Sequence, residues 1–288
     1  MPEGDTVWLA GKRLHEALAG DVLVRSDFRV PSLATVDLSG RSVLEVVPRG
    51  KHLLTRLSGG LTLHTHFRMD GSWHLYRPGD RWTGGTEWQV RAVLETASWQ
   101  AVGYRLPVVD LLATADEDSV VGHLGPDVLG PDWDADLAVA RLREAPDAEV
   151  GMALLDQRNL AGLGNLYRCE VLFLQGLTPW VRVADVPDLR ALVDKGRRLL
   201  LANADRWEQS TTGSLRYGEM HWVFERSGKP CRRCGTRIAT AEQGAAAAPY
   251  SAARLTYWCP RCQPGPAPAP TRAPSRRDRP IGRTSYRP

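Results

Sequence analysis

Two Cys-x-x-Cys pairs, Cys231 with Cys234 and Cys259 with Cys262, stand 24 residues apart near the end of a 288-residue chain. Four thiolates grouped in this way close a tetrahedral site around zinc, about 2.3 Å from each sulfur, and leave no position open for a reacting ligand. Such a site builds structure. A pair of disulfides is the competing reading, but the start of the chain, with Glu3 and Asp5, lacks the basic and apolar regions of a secretory signal. The module is therefore read as one structural Zn2+ pinning a β-hairpin. The gap exceeds the roughly 15 to 20 residues usual for such modules, and the run of alanines at 245–248 is read as a loop insertion. Arg232, Arg233, Arg237, Arg254 and Arg261 gather here beside Tyr257 and Trp258, a set suited to phosphate and groove contacts. The fifth cysteine, Cys169, falls in a helical pattern and is expected in the core.

With 43% hydrophobic residues the chain has enough to fill two compact cores. No apolar run approaches the eighteen or so residues of a membrane span, so no membrane association and a cytoplasmic location are expected. Net charge is +4, yet residues 263–288 hold six arginines and one aspartate, which leaves about −1 for the rest. Overall charge is thus a weak pointer to nucleic acid, and local charge a better one. That last stretch is dense in Pro, Ala, Gly and Ser and is expected to be a disordered basic tail. Of 37 basic residues only Lys12, Lys51, Lys195 and Lys229 are lysine. Lysine alone offers a compact ammonium, or an amine able to lose its proton. Lys51 is the one that fits neither a helical surface nor the cysteine module.

Residues 5–19 read as an amphipathic helix, with Val7, Ala10, Leu14, Ala17 and Leu18 on one face and Gly20 as the stop. Short alternating runs follow at 21–24, 43–47, 52–57, 61–67, 72–76, 88–95 and 108–113, separated by turn residues. Helical crossovers are missing, so the runs predict an antiparallel sandwich rather than a parallel sheet. After Gly125-Pro126-Asp127 and Gly130-Pro131-Asp132 the period becomes helical, with helices predicted at 134–143, 147–157, 164–175 and 185–202. The expected division is 1–125 β-sandwich, 133–220 helical domain, 221–263 zinc finger and 264–288 tail.

Removal of Met1 would leave the secondary amine of Pro2 at the chain start with the Glu3 carboxylate beside it. An α-amine has an ordinary pKa near 7.7 to 8.0, so a useful fraction is unprotonated at neutral pH. Added to a sugar aldehyde, it gives a cationic iminium that acidifies the neighbouring C–H, and Glu3 supplies or shuttles protons. On two residues alone an accident of sequence is the simpler reading. Farther along, Leu155-Asp156-Gln157 through Gly162, Gly164 and Asn165-Leu166-Tyr167 puts a helix end, two glycines and a new helix start in one stretch. Exposed amides at such a start form an anion site, and a tight turn explains the glycines about equally well.

Together these segments resemble the formamidopyrimidine-DNA glycosylase and endonuclease VIII family. Four ordered signatures carry the resemblance: Pro2-Glu3, Arg49-Gly50-Lys51 before a strand, Leu155-Asp156-Gln157 to Asn165-Leu166-Tyr167, and the four-cysteine finger. It implies an α+β multidomain fold: an N-terminal antiparallel β-sandwich with a flanking helix, a helix-two-turn-helix domain and a zinc-finger β-hairpin. By matching motifs, Pro2 is the expected Schiff-base nucleophile, Glu3 the general acid and Lys51 a cationic partner. Asn165 and Arg254 are expected on the phosphates of damaged DNA. Met69, in His66-Phe67-Arg68-Met69-Asp70-Gly71, is similar to a residue that fills the void left by a flipped base, although the partner Arg-Phe pair is not seen near residues 110–113. The implied activity is that of a monomeric bifunctional DNA glycosylase and AP lyase removing oxidised bases, with the Met1-Pro2-Glu3-Gly4 start closer to the endonuclease VIII branch and to pyrimidines. Thr6 stands where the family usually has glutamate, which raises the alternative of a damaged-DNA or abasic-site binder without glycosylase activity.

Overall fold

The computed structural model describes residues 2–244 and 253–268; the alanine run at 245–248 and the tail from 269 onward lie outside the described residues. The chain opens with α1 (Gly4–Leu18), which buries Val7, Ala10, Leu14, Ala17 and Leu18 as the periodicity requires. Strands β1 (Arg25–Phe28), β2 (Val43–Arg49), β3 (His52–Leu57), β4 (Leu61–His66), β5 (Ser72–Tyr76), β6 (Val90–Glu95), β7 (Gln100–Tyr104) and β8 (Val108–Ala113) follow. They form two four-stranded antiparallel sheets, ordered β1-β6-β7-β5 and β2-β3-β4-β8. Phe28, Val46, Leu53, Leu63, Trp73, Leu94 and Val109 fill the layer between them, together with the apolar face of α1.

The strand expected at 21–24 is displaced to Arg25–Phe28. Residues 20–24 change partners within a few residues: Leu23 donates to the Arg41 carbonyl, whereas Val24 donates to Glu95. Only from Arg25 does the chain stay on one neighbour, β6.

The helical half contains α2 (Asp118–Val121), α3 (Ala135–Arg143), α4 (Val150–Ala153), α5 (Asn165–Gln175) and α6 (Leu189–Leu201). Asp134 caps α3 by accepting the amides of Asp136 and Leu137, and Asp188 caps α6 through Ala191. Gly176, with φ of 71°, ends α5. The helix expected over 147–157 shrinks to the single turn of α4. At its start Val150 N and Gly151 N donate to Val181 O and Pro179 O, and at its end Asn159 Nδ2 donates to the Ala153 carbonyl that the next helical turn would need, so other bonds replace the helical ladder. Finally β9 (Ala239–Gln243) and β10 (Arg254–Trp258) pair as the predicted hairpin. Ile238, Cys231 and Cys259 join Leu163, Val171, Phe173 and Leu192 in one core, so the hairpin is continuous with the helical half.

Candidate active site

Four segments remote in sequence meet at the N-terminus of α5. Its capping residue, Gly164, has no side chain to satisfy the free amides. Glu3 does this from another helix: its carboxylate accepts from Gly164 N at 2.9 Å and from Leu166 N at 2.7 Å. The two amides that the sequence reading left open for a phosphate are therefore given to an internal anion, which the helix dipole also favours. Glu3 is 1% exposed. Burial pushes its carboxyl pKa up; the Lys51 ammonium opposes this, the Asp5 charge adds to it, and the Leu166 amide opposes it again. Pro2, half-buried, immediately precedes, and Gly4 N donates to Gly162 O at 2.9 Å.

Lys51 arrives on the two-residue turn joining β2 to β3, where Gly50 takes a φ of 59° that suits glycine at the first turn position. The turn is held from the helical half, because Gly50 N donates to buried Asp127 at 2.7 Å. Lys51 Nζ donates to Leu163 O at 3.0 Å. Burial lowers its pKa, Glu3 resists that shift, and Arg254 reinforces it. Glu3 and Lys51 converge on Gly164: a Cβ there would lie 2.6 Å from Glu3 Cδ and 2.7 Å from Lys51 Nζ. Glycine is required at this position by the two side chains pressed against it.

Asn165 begins α5 and binds the hairpin, donating from Nδ2 to Leu255 O at 3.0 Å. Its Oδ1 accepts at 2.6 Å from Arg168, a fully buried guanidinium that also reaches Thr256 Oγ1 at 2.6 Å and Gln243 Oε1 at 2.8 Å. Arg254, exposed at the start of β10, thus stands one residue from the Asn165 contact. Met69 lies apart from this group, on the turn between β4 and β5, with 61% of its surface open to solvent.

The four hairpin cysteines bring their sulfurs within 4.8 Å of one another, with Cys231 to Cys262 at 3.9 Å and Cys234 to Cys259 at 3.5 Å. Tetrahedral Zn–S bonds of about 2.3 Å place sulfurs about 3.8 Å apart, so the set fits one zinc ion. The amides of Arg233 and Cys262 point at Cys231 and Cys259 sulfur, which stabilises thiolate ligands.

Three family domains match in order: the formamidopyrimidine-DNA glycosylase N-terminal domain over residues 1–108, its H2TH domain over 124–201, and the zinc finger found in FPG and IleRS over 228–265. A probable endonuclease 8 2 of Streptomyces coelicolor is 57% identical over 100% of this chain and 99% of its own length. The chain belongs to the formamidopyrimidine-DNA glycosylase and endonuclease VIII family. The DNA-(apurinic or apyrimidinic site) lyase Nei2 of Mycolicibacterium smegmatis is 43% identical over 91% of this chain and 99% of that one. Among solved structures, Lactococcus lactis Fpg (MutM) in complex with an N7-benzyl-Fapy-dG DNA matches with a TM-score of 0.74 at 22% identity, covering 92% of this chain and 100% of that one. At that identity the likeness speaks for the fold, which is the α+β arrangement of sandwich, helix-two-turn-helix and finger. The relatives' endonuclease 8 and Nei2 names place the chain with the endonuclease VIII branch, and its finger carries one structural Zn2+. No helix among the described residues is long and apolar enough to cross a membrane.

Two clusters in this family member were not foreseen from the sequence. Asp5 accepts from Tyr167 and Gln209, partners 162 and 204 residues away, for which no local pattern exists. His52, His64, His66 and His123 surround the Lys51 turn: His52 Nδ1 lies 2.9 Å from His64 Nε2, and the His52 ring meets those of His66 and His123 edge-on. Here a signal existed, since His64 and His66 alternate on one strand opposite His52.

Proposed function

We propose that this protein is a bifunctional DNA glycosylase and AP lyase of base-excision repair, acting on oxidised pyrimidines. The observation that carries the reading is the convergence of Glu3, next in the chain to Pro2, and Lys51 on Gly164, at a buried junction bonded to the zinc-finger hairpin through Asn165. In this reading residues 1–125 carry the chemistry, 133–220 and 221–263 grip the duplex, and 264–288 add unspecific affinity. The protein works as a cytoplasmic monomer that binds damaged DNA.

The damaged nucleotide is flipped from the stack, at a cost of a few kcal/mol that damage lowers, and Met69 fills the gap from the exposed turn. Asn165 and Arg254 hold the flanking phosphates. With Met1 removed, the Pro2 nitrogen bonds to C1′ as the bond to the base breaks, the amine proton leaving with the base; Glu3 then protonates the ring oxygen and the C1′–O4′ bond opens to the iminium. At the open-chain aldehyde, the same step expels the carbonyl oxygen as water, which takes the amine proton and one proton from Glu3. The product is an iminium cation. Loss of a C2′ proton then releases the 3′ phosphate. Burial pushes the Glu3 carboxyl up toward the range where it can serve as the donor, against the pull of Lys51 and the Leu166 amide, and Lys51 supplies a compact positive charge at the scissile nucleotide.

Incubation of the zinc-loaded protein with abasic-site duplex and borohydride should give a covalent adduct, lost in Pro2→Ala. A duplex carrying one oxidised pyrimidine should lose that base. Absence of an adduct with chain shown by mass spectrometry to begin at Pro2 refutes the reading, and binding without turnover would favour a lesion-binding protein.

A further inference from the structure

Asp5 is a buried carboxylate for which the chemistry above has no task. It is 1% exposed on the first turn of α1, two residues beyond Glu3, and forms no ion pair among the described residues. Its oxygens accept instead from the Tyr167 hydroxyl at 2.5 Å and from Gln209 Nε2 at 2.8 and 3.1 Å. Tyr167 belongs to the same first turn of α5 whose amides bind Glu3. Burial pushes the Asp5 carboxyl up, and the Tyr167 and Gln209 donors oppose this, stabilising the ionised form without cancelling its charge. Thr6, by contrast, receives only a long contact of 3.4 Å from Gln209.

We propose that Asp5 is a positioning residue for the Schiff-base chemistry, a fixed negative charge that keeps the Glu3 carboxyl in its proton-donating form. This rests on Glu3 being the proton donor. The charged and titratable groups that face the pair are Lys51 from the β2–β3 turn, Tyr167 and Arg168 from α5, and Arg254 from β10. Before attack, protonated Glu3 leaves the Asp5 carboxylate and the Lys51 ammonium in balance. After Glu3 has given its proton to the departing water, two carboxylates face two cations, Lys51 and the iminium. Among Glu3, Asp5, Lys51 and the iminium alone, with the two arginines left aside, the charges cancel at both stages only if Asp5 is ionised. Its charge also disfavours ionisation of Glu3, in the same direction as burial does. Tyr167 holds its own proton well above the usual phenol range, first through burial and then through Asp5, so it remains a donor. The carboxylate missing at Thr6 is in this way replaced by its neighbour on the same helix, which bonds to α5 through Tyr167.

The test is the rate of borohydride trapping on abasic duplex between pH 5 and 9, with the full zinc-loaded chain. Asp5→Asn should move the basic limb of the profile down by about one pH unit, which is a tenfold loss at pH 8. At pH 5.5 trapping should stay within about threefold of wild type, as should affinity for a duplex with a reduced abasic site. An unshifted limb, or an equal loss at every pH, overturns the proposal and leaves a structural role. Tyr167→Phe gives a second reading if Asp5→Asn does not fold. With one donor gone Asp5 holds its charge less firmly, so the basic limb should move down in the same direction as in Asp5→Asn but by less, with trapping at pH 5.5 little changed; an unmoved basic limb overturns the proposal. A wild-type adduct with unaltered variant profiles refutes this inference alone, whereas no wild-type adduct refutes the parent reading as well.

Discussion

At the scale of single residues, the pocket is fixed by what cannot be added to it. Gly164 has φ of −126° and ψ of −159°, which alanine adopts without strain, so the demand for glycine there is steric. A methyl group would meet Glu3 Oε1 and Lys51 Nζ, each at 2.7 Å. Because Glu3 is held by two amides of the same turn, it can yield only by giving up those bonds. Gly164→Ala should therefore lower the lyase rate by roughly a hundredfold, the usual scale for displacing catalytic groups by about 1 Å. Single-turnover cleavage of abasic duplex measures the rate, and binding of a reduced abasic duplex controls for folding. Rates within threefold of wild type would show that neither side chain needs its present position.

Among the elements, β3 and β4 carry an unusual load of imidazole. His52 is pushed down to about 3, by burial first and then by His66, and His66 is pushed down to about 4, by burial first and then by Lys51. Both values lie below that of a histidine in an unfolded chain, about 6.5. The unfolded state thus binds these protons first, and stability falls as pH drops through 6.5 toward 4. Each histidine contributes at most about 1.4 kcal/mol per pH unit, and about 1.4 kcal/mol in all between pH 7.5 and 5.5, so the pair should cost about 2.7 kcal/mol over that range. Urea melts of wild type and His52→Asn test this, the variant being expected to lose about half of the slope. The elements also show where sequence reading succeeds. The face of α1 was legible because Val7, Ala10, Leu14 and Leu18 keep helical spacing, and β3, β5 and β8 because alternation and turn residues bound them. β7 was not, because Gln100–Tyr104 is buried at every position and has no alternation to read. α4 was overestimated because periodicity is blind to a side chain such as Asn159 that captures the backbone. Likewise Pro2, Glu3, Lys51 and Asn165 were visible as motifs, but the Asp5–Tyr167 bond joins residues linked only by the fold.

For the whole molecule, the pocket exists only while its two halves are held together. The sandwich contributes Pro2, Glu3 and Lys51, and the helical half contributes the turn that receives them, through Gly4 to Gly162, Gly50 to Asp127 and Lys51 to Leu163. The hairpin enters this assembly through α5, because Arg168 spans Asn165, Thr256 and Gln243. Zinc therefore acts at a distance. Without the ion, four sulfurs within 4.8 Å of one another lose the charge that holds them, and structural zinc is worth about 10 to 16 kcal/mol in isolated fingers. At the cysteine end of the hairpin, where Trp258 pairs with Ala239, the four sulfurs stand directly beyond the last ladder pair. The sandwich core of Leu53, Leu63 and Val109 shares no residue with the finger and should survive. Chelation at neutral pH, or Cys262→Ser, is thus expected to weaken abasic-duplex binding by at least about tenfold and to flatten its salt dependence, if Arg254 holds a phosphate as proposed. Hydrogen exchange should show protection lost in β9, β10 and the first turn of α5 but retained in β2, β3 and β4. Loss of protection in the sandwich as well would mean that the finger and the sandwich unfold as one unit, and the separation of roles between them would be wrong.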